Sequence, residues 1–403
     1  MNRYREDTKY IFSPPRYSPF WSRFIYLLNY VFFLKVRDKI ADITVSDGWN
    51  SAYEKYKNGD SLLITPNHSD HSDPHVLLHL SWRYRIPIHF MAAREIFEQV
   101  YGLSGKILQR AGVFSIDREG TDLKSIKEAM RIIFEGKFPL VMFPEGEIYH
   151  LNERLTSLNQ GAATIILRVA KKMKKEMKSK QAFIVPTAIK YTYLEDISST
   201  FPQVLDRLEK QILWSPQENL SITERIYKFA EALLSIKERE YLEKTLEGSL
   251  AERLERFREI LVHEAEKKYF SQTSQGSHPE RIRKVRGKIR SIILADEKPG
   301  QAIIRECYQD LDRLYFAFQL YSYPGQYILE KPSPDRIAET LHKFEEDILN
   351  EYHIRGKRRA EVQFLEPINV MDYLGSYEKD SKKTLDELTR RMEDAIQKAL
   401  EER

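Results

Sequence analysis

Between residues 43 and 193, short apolar runs alternate with segments whose apolar residues return every three or four positions. The runs at 61–64, 88–91, 113–116, 140–143 and 182–189 predict strands, and the spacing within 75–82, 122–135 and 161–172 predicts helices. Alternation of this kind defines an α/β domain around a largely buried sheet. After Tyr193 the pattern changes, and 202–352 is rich in Glu, Lys, Arg and Leu. Leu242, Leu246, Leu250, Leu254, Phe257 and Leu261 recur every three or four residues, which predicts one long amphipathic helix. Polar or proline-bearing turns fall at 271–279, 321–325 and 331–334. Strand alternation returns at 360–365, Pro367 breaks it, and 381–400 carries the spacing of a closing helix. The helical block is therefore read as an insertion in a discontinuous domain. The expected units are 1–40, 41–199, 200–357 and 358–403, and no internal repeat is expected.

The most apolar stretch, 19–34, is aromatic-rich but interrupted by Arg23 and Asn29. Its clean apolar runs fall short of the ~20 residues that a spanning helix needs. With Lys35, Arg37 and Lys39 behind it, 1–40 reads as a helical region lying in a membrane interface, and a buried N-terminal helix is the alternative. The polar start of the chain shows no secretory leader. Hydrophobic residues make up 42% and charged residues 31% of the 403, a globular composition with room for two or three domain-sized units. A single cysteine, Cys307, excludes an internal disulfide and reads as a packing residue. The net charge of +4 gives no reason to expect nucleic acid. Locally, 281–290 holds six basic residues in ten, which suits phosphate, an anionic lipid surface or a solvated helix face.

Candidate chemistry concentrates in 65–74, just past a predicted strand, where functional groups often sit. His68, Asp70, His71 and Asp73 lie there, with His75 beyond them. A polar loop, a metal site and a His–Asp pair all compete for this segment. The metallo-β-lactamase-like hydrolases place an H-x-H-x-D-H motif after a strand, but Pro66 occupies the position of its first His. On a regular helix His68 and Asp73 would point roughly 140° apart, so only a turn lets them meet. Pro74 supports that turn, with Asp73 as N-cap and proline in the first helical position. A His whose ring proton is held by a carboxylate is oriented for base chemistry through its other nitrogen.

Four stretches together resemble the glycerolipid acyltransferase family, the phosphate and lysophosphatidate O-acyltransferases. Asn67, His68 and Asp73 match its N-H-x4-D; Gly112 to Arg118 resembles its second block; Phe143, Pro144, Glu145 and Gly146 match its F-P-E-G; and Ile184, Val185 and Pro186 match its closing strand. The resemblance covers about 43–193. It implies a mixed-sheet acyltransferase core, α/β in class, here interrupted by a large all-α insertion. It also implies His68 as general base oriented by Asp73, with Arg118 on the acceptor phosphate and Phe143, Pro144, Glu145 and Gly146 shaping the acceptor site. Taken alone, Arg118 reads as a surface ion pair and the 143–146 stretch as a tight turn.

Five positions, in three places, depart from the family pattern. Glu147, Ile148 and Tyr149 stand where Thr-Arg-Ser is usual, Asp70 replaces a Ser, and Ser115 replaces an aromatic residue. These changes are expected to alter the acceptor side. The resemblance implies an O-acyltransferase of phospholipid biosynthesis, with acyl-CoA or acyl carrier protein as donor. The acceptor would be a glycerol-phosphate or lysophospholipid-type hydroxyl, and no metal or redox cofactor is implied. The enzyme would be a peripheral or monotopic protein of the cytoplasmic side, partnered by a lipid surface. Its rivals are a metal-dependent hydrolase using His68, Asp70 and His71, and an inactive lipid-binding protein.

Overall fold

The computed structural model describes residues 10–99, 102–118, 122–176, 179–273, 276–295, 297, 299–323 and 325–402. The leader-free start read at 1–9 lies outside them. Helix α1 (Pro19–Leu28) continues as a π-helical segment (Asn29–Arg37) into β1 (Ile40–Val45). Then come α2 (Gly48–Lys57), β2 (Ser61–Pro66), α3 (Asp73–Tyr84), β3 (His89–Ala93), α4 (Arg94–Glu98), α5 (Leu103–Arg110) and β4 (Val113–Ile116). They are followed by α6 (Leu123–Glu135), β5 (Leu140–Val141), α7 (Gly161–Lys175) and β6 (Ala182–Tyr193). The helical block comprises α8 (Phe201–Gln211), α9 (Ile222–Leu242), α10 (Leu250–Phe270), α11 (His278–Ile293), α12 (Gln301–Gln319), α13 (Tyr327–Glu330) and α14 (Pro334–Phe344). The chain closes with β7 (Arg358–Phe364), β8 (Ile368–Asn369), α15 (Leu374–Lys379) and α16 (Ser381–Glu401).

The strands form one mixed sheet in the order β1-β7-β6-β2-β5-β3-β4, with β8 also beside β6. From β6 to β4 every pairing is parallel. Strand β7 runs antiparallel to β6 and parallel to β1. Helices cover both faces, so β2 is buried along its whole length and reads as an unbroken apolar run. Its Leu63 packs with residues of α6, α7 and α16, while Leu62 and Ile64 face the layer of Val76, Leu77 and Leu80 from α3. The chain is thus an α/β core with a mixed sheet plus an all-α region, and the six strand runs read from the sequence all form strands. Strand β1 escaped the pattern because it is an edge strand, mostly exposed, and its sequence mixes Asp42 and Thr44 with apolar residues.

Two expectations for the helical block fail. The long helix through 242–261 is two helices, because Glu243 turns left-handed at φ +59° and Gly248 follows at φ +106° before α10 starts. The block also contains a repeat. Ser221, Ser249 and Ser277, at equal intervals, are the N-caps of α9, α10 and α11. In each case the glutamate three residues on, Glu224, Glu252 or Glu280, accepts from the serine N–H, at 2.8, 2.9 and 3.2 Å. The next residue is Arg225, Arg253 or Arg281, which reaches back to a buried glutamate of the preceding helix. Arg253 grips Glu238 through Nε at 3.0 Å and Nη2 at 2.6 Å, and Arg281 grips Glu266 in the same way. The period is carried by caps and ion pairs rather than by apolar spacing, so a hydrophobic reading passes over it.

Removing one partner of a buried pair leaves a charge without compensation, at about 3–5 kcal/mol. Arg253→Met should therefore destabilise the block by that order in denaturant unfolding. The double variant Arg253→Met/Glu238→Met should recover most of the loss, and a double variant no more stable than the single one would contradict this account.

Candidate active site

Strand β6 runs further than its neighbour β2, whose pairing ends at Pro66 beside Thr187. The backbone groups of β6 beyond that point would be buried and unpaired, which the interior does not tolerate. Two asparagines take the place of the missing strand. Asn67 accepts from the Ile189 N–H at 2.7 Å and donates to its carbonyl at 2.9 Å. Asn152 does the same for Tyr191, at 2.7 and 2.6 Å. The loop after β2 and the loop before α7 are thereby clipped to one strand, and the site lies between them.

Asn67 sets the position of His68. Helix α3 begins at Asp73, with Ser72 as N-cap and Pro74 inside the first turn, one residue earlier than the sequence suggested. The turn brings His68 Nδ1 to 2.9 Å from Asp73 Oδ2. Asp73 is fully buried and also accepts from Tyr191 Oη at 2.7 Å and from the Asp70 N–H at 3.1 Å. Burial pushes the Asp73 carboxyl above its usual range, opposed by the hydrogen bond and charge of His68. Burial and the Asp73 charge hold the Tyr191 phenol far above its ordinary value, so it stays a donor. The imidazole of His68 stacks on Phe143, with centroids 4.1 Å apart, and its side chain remains 15% exposed. Its Nε2 makes no hydrogen bond among the described residues. An imidazole with Nδ1–H committed to a carboxylate presents Nε2 as a proton acceptor.

Glu145 is buried, and its carboxylate turns toward backbone and hydroxyl donors. Its Oε1 accepts from the His68 N–H at 2.6 Å, and its Oε2 accepts from the N–H of Thr156 at 3.0 Å and from the Thr156 hydroxyl. Gly146 follows at φ +80°, where only glycine sits without strain, and a Cβ there would come within 2.7 Å of Arg283. The Pro144 carbonyl accepts from Asn159. Arg118 Nη1 binds the Gly146 carbonyl at 2.6 Å and Glu147 at 2.6 Å. Of the residues expected at the site, His68, Asp73, Phe143 and Glu145 come together directly, and Arg118 joins them through Gly146.

The cluster His68, Asp70 and His71 does not assemble as a ligand set, because Asp70 is committed elsewhere. Its Oδ2 lies 2.8 Å from Arg358 Nη1 and accepts from Tyr352 at 2.9 Å, while its Oδ1 accepts from the Ser72 N–H at 2.8 Å. Despite burial, Arg358 holds the Asp70 carboxyl well below the usual range. His71 instead meets His150 and Glu346 of the helical block, with ligand-capable atoms within 4.8 Å of one another, a grouping that could hold a metal ion. Glu346 raises the His71 pKa, outweighing the opposing effect of burial. His75 lies 2.9 Å from Asp38 and so stitches α3 to the N-terminal segment. Ser115 is also internal, tied to Tyr10 Oη at 2.7 Å and the Ser13 N–H at 2.8 Å. Asp70 and Ser115 therefore support the scaffold.

Sequence reasoning missed Tyr191, Arg358 and Arg283. The first two carried no signal beyond lying at strand ends. Arg283 shares a helical stripe with Arg286 and Arg290, a spacing that was visible within the basic run.

Residues 50–190 match the family model described as Acyltransferase, a span that holds all four motif stretches. The match supports an acyltransferase domain over these residues, in agreement with the motifs. Comparison with curated proteins finds no match.

Burial lifts the Glu145 carboxyl to about 7, against three hydrogen-bond donors that pull it down. A raised carboxyl favours the folded state most below its ordinary value of 4.5, and that stabilisation is lost as pH rises through about 7. Its size is about 3 kcal/mol. Urea unfolding between pH 4.5 and 7 should show this decline, and Glu145→Gln should flatten it. An unchanged slope in the variant would assign the proton to another group.

Proposed function

We propose that the protein transfers a fatty acyl group from acyl-CoA or acyl carrier protein to a hydroxyl of a glycerol-phosphate or lysophospholipid-type acceptor. The observation that carries this reading is the His68–Asp73 pair, set at 2.9 Å, with Nε2 left unbonded among the described residues. His68 Nε2 takes the proton of the acceptor hydroxyl as its oxygen attacks the thioester carbonyl. Asp73 keeps Nδ1 protonated and stabilises the imidazolium that forms. The tetrahedral adduct then breaks its C–S bond, the imidazolium returns the proton to the departing thiolate, and an ester and a free thiol result. A thioester is already activated, so no covalent enzyme intermediate is needed.

The acceptor would be met at a bilayer surface. No described helix is long and apolar enough to cross a membrane. Helix α1 buries Ser22, Ile25 and Tyr26 against the domain and leaves Phe20, Trp21, Phe24 and Leu27 in solvent, Phe20 being 76% and Leu27 60% exposed. The π-helical segment adds Val31 and Phe32 to this ridge, and Lys35, Arg37 and Lys39 flank it. An apolar, aromatic ridge beside basic residues suits shallow insertion among lipid headgroups.

His68→Ala should cut acyl transfer by about a hundred- to ten-thousand-fold while leaving the thermal unfolding transition in place. Sustained turnover by the folded variant would refute the mechanism. The variant Phe24→Ser/Leu27→Ser/Val31→Ser should lose co-sedimentation with anionic lipid vesicles, and equal sedimentation would put the membrane contact elsewhere.

A further inference from the structure

The helical block turns the basic face of α11 inward, onto the acyltransferase domain. Arg283, Arg286 and Arg290 lie along one stripe of the helix. Arg290 Nη1 pairs with Asp117 at 2.6 Å, and Arg286 is 4% exposed. Arg283 Nη2 donates to the Glu145 carbonyl at 3.1 Å, and its Nη1 donates to the Asn159 side-chain oxygen. A solvated face or a bilayer contact would leave these guanidinium groups outward, so this stripe is neither, while Lys284 and Lys288 of the same helix face solvent.

Beside them lies a cavity whose lining includes Arg118, Arg283, Arg286 and Lys343, with Glu147 as the carboxylate among the described lining residues. Glu147 is already held by Arg118 at 2.6 Å, and Lys343 is paired with Asp347 at 3.1 Å. Arg283 differs, since among the described residues it hydrogen-bonds only neutral oxygens, and its guanidinium lies 5.9 Å from the Phe318 ring. Burial lowers its pKa from the ordinary arginine value. The nearby charges of Glu147 and Glu280 do not offset the cost of burying this cation, and an anion entering the cavity would relieve it. The cavity also adjoins the base: Tyr149 lines it and donates its N–H to the His68 carbonyl at 3.4 Å. The carbonyl that Arg283 holds belongs to Glu145, whose carboxylate holds the His68 N–H.

We propose that this cavity is the phosphoryl subsite of the acyl-transfer site, with Arg283 and Arg286 of the helical block supplying the charge that recognises the phosphate. The assignment rests on the acyl-transfer reading. It gives the cation that is missing where Glu147, Ile148 and Tyr149 stand a source about 135 residues further along the chain. Guanidinium forks match phosphate geometry and make strong charge-assisted hydrogen bonds. The phosphate can belong to the acceptor headgroup or to coenzyme A.

The test compares the full chain with Arg283→Met/Arg286→Met, titrating each by calorimetry with glycerol 3-phosphate and separately with coenzyme A. Steady-state KM for lysophosphatidate and for acyl-CoA is measured alongside. The double variant should bind at least one probe about ten- to a hundred-fold more weakly, with KM raised and kcat little changed. Weakening toward glycerol 3-phosphate identifies the acceptor headgroup, and weakening toward coenzyme A alone identifies the donor. Arg283→Lys/Arg286→Lys should keep part of the affinity, which separates lost charge from lost folding. A folded Met variant that binds both probes as the parent does would overturn the proposal, as would a parent that binds neither. If the parent binds a probe and the variant does not, yet neither transfers acyl groups, the subsite stands and the acyl-transfer reading falls.

Discussion

The buried ion pair between Asp70 and Arg358 is the constraint on which the rest of the site depends. Two charges withdrawn from water must satisfy each other closely or unfold the region around them. Arg358 does more than neutralise Asp70, because Nη2 also donates to the Ser72 hydroxyl at 2.9 Å and to the Asp38 carbonyl at 3.1 Å. The turn that lets His68 meet Asp73 is thus bolted to β7 on one side and to the N-terminal segment on the other. Asp38 meanwhile holds Arg37 and His75, so three distant parts of the chain converge behind one histidine. The geometry of His68 is set by these neighbours more than by its own loop.

The helical block shares in this arrangement. Tyr352 joins the Asp70 carboxylate, Glu346 joins His71 and His150, Arg290 joins Asp117, and Arg283 joins the turn at Glu145. All four of these contacts fall on the motif-bearing loops, and all four use charged or hydroxyl groups. The block has its own apolar core, running from Ile197 to Phe344, so it can hold its shape while meeting the domain through these polar contacts and a small cluster of Tyr149, Leu151 and Tyr327. Its three capped, Arg–Glu-linked helices supply that shape.

Much of the fold was legible because parallel strands covered on both faces must be apolar throughout, and such runs stand out from the helices between them. The pair His68 and Asp73 was legible for a different reason, since Pro74 marked the turn that brings them together. What escaped was whatever depends on partners far apart in sequence. Asp70 and Ser115 looked like changes to a binding surface, yet Arg358 and Tyr10 draw them inside. The inward face of the basic run was hidden too, because six cations in ten residues look the same whether a helix turns them to water or to a cavity. The repeat of α9, α10 and α11 was visible in the letters, but only to a reading that followed serine, glutamate and arginine instead of leucine.

The position of β7 between β1 and β6 has a consequence for how the protein comes into being. During synthesis the loop bearing His68 emerges long before Arg358, and the helical block must pass between them. Until then Asp70 has no counter-ion, and the sheet lacks the strand that joins its edge to its centre. Helices built on local contacts fold faster than pairings that close long loops. The block is therefore expected to fold first and to deliver β7 to a waiting gap. On this order of events a nascent chain holds His68 and Asp73 in an unlocked loop, and their setting matures only when β7 arrives.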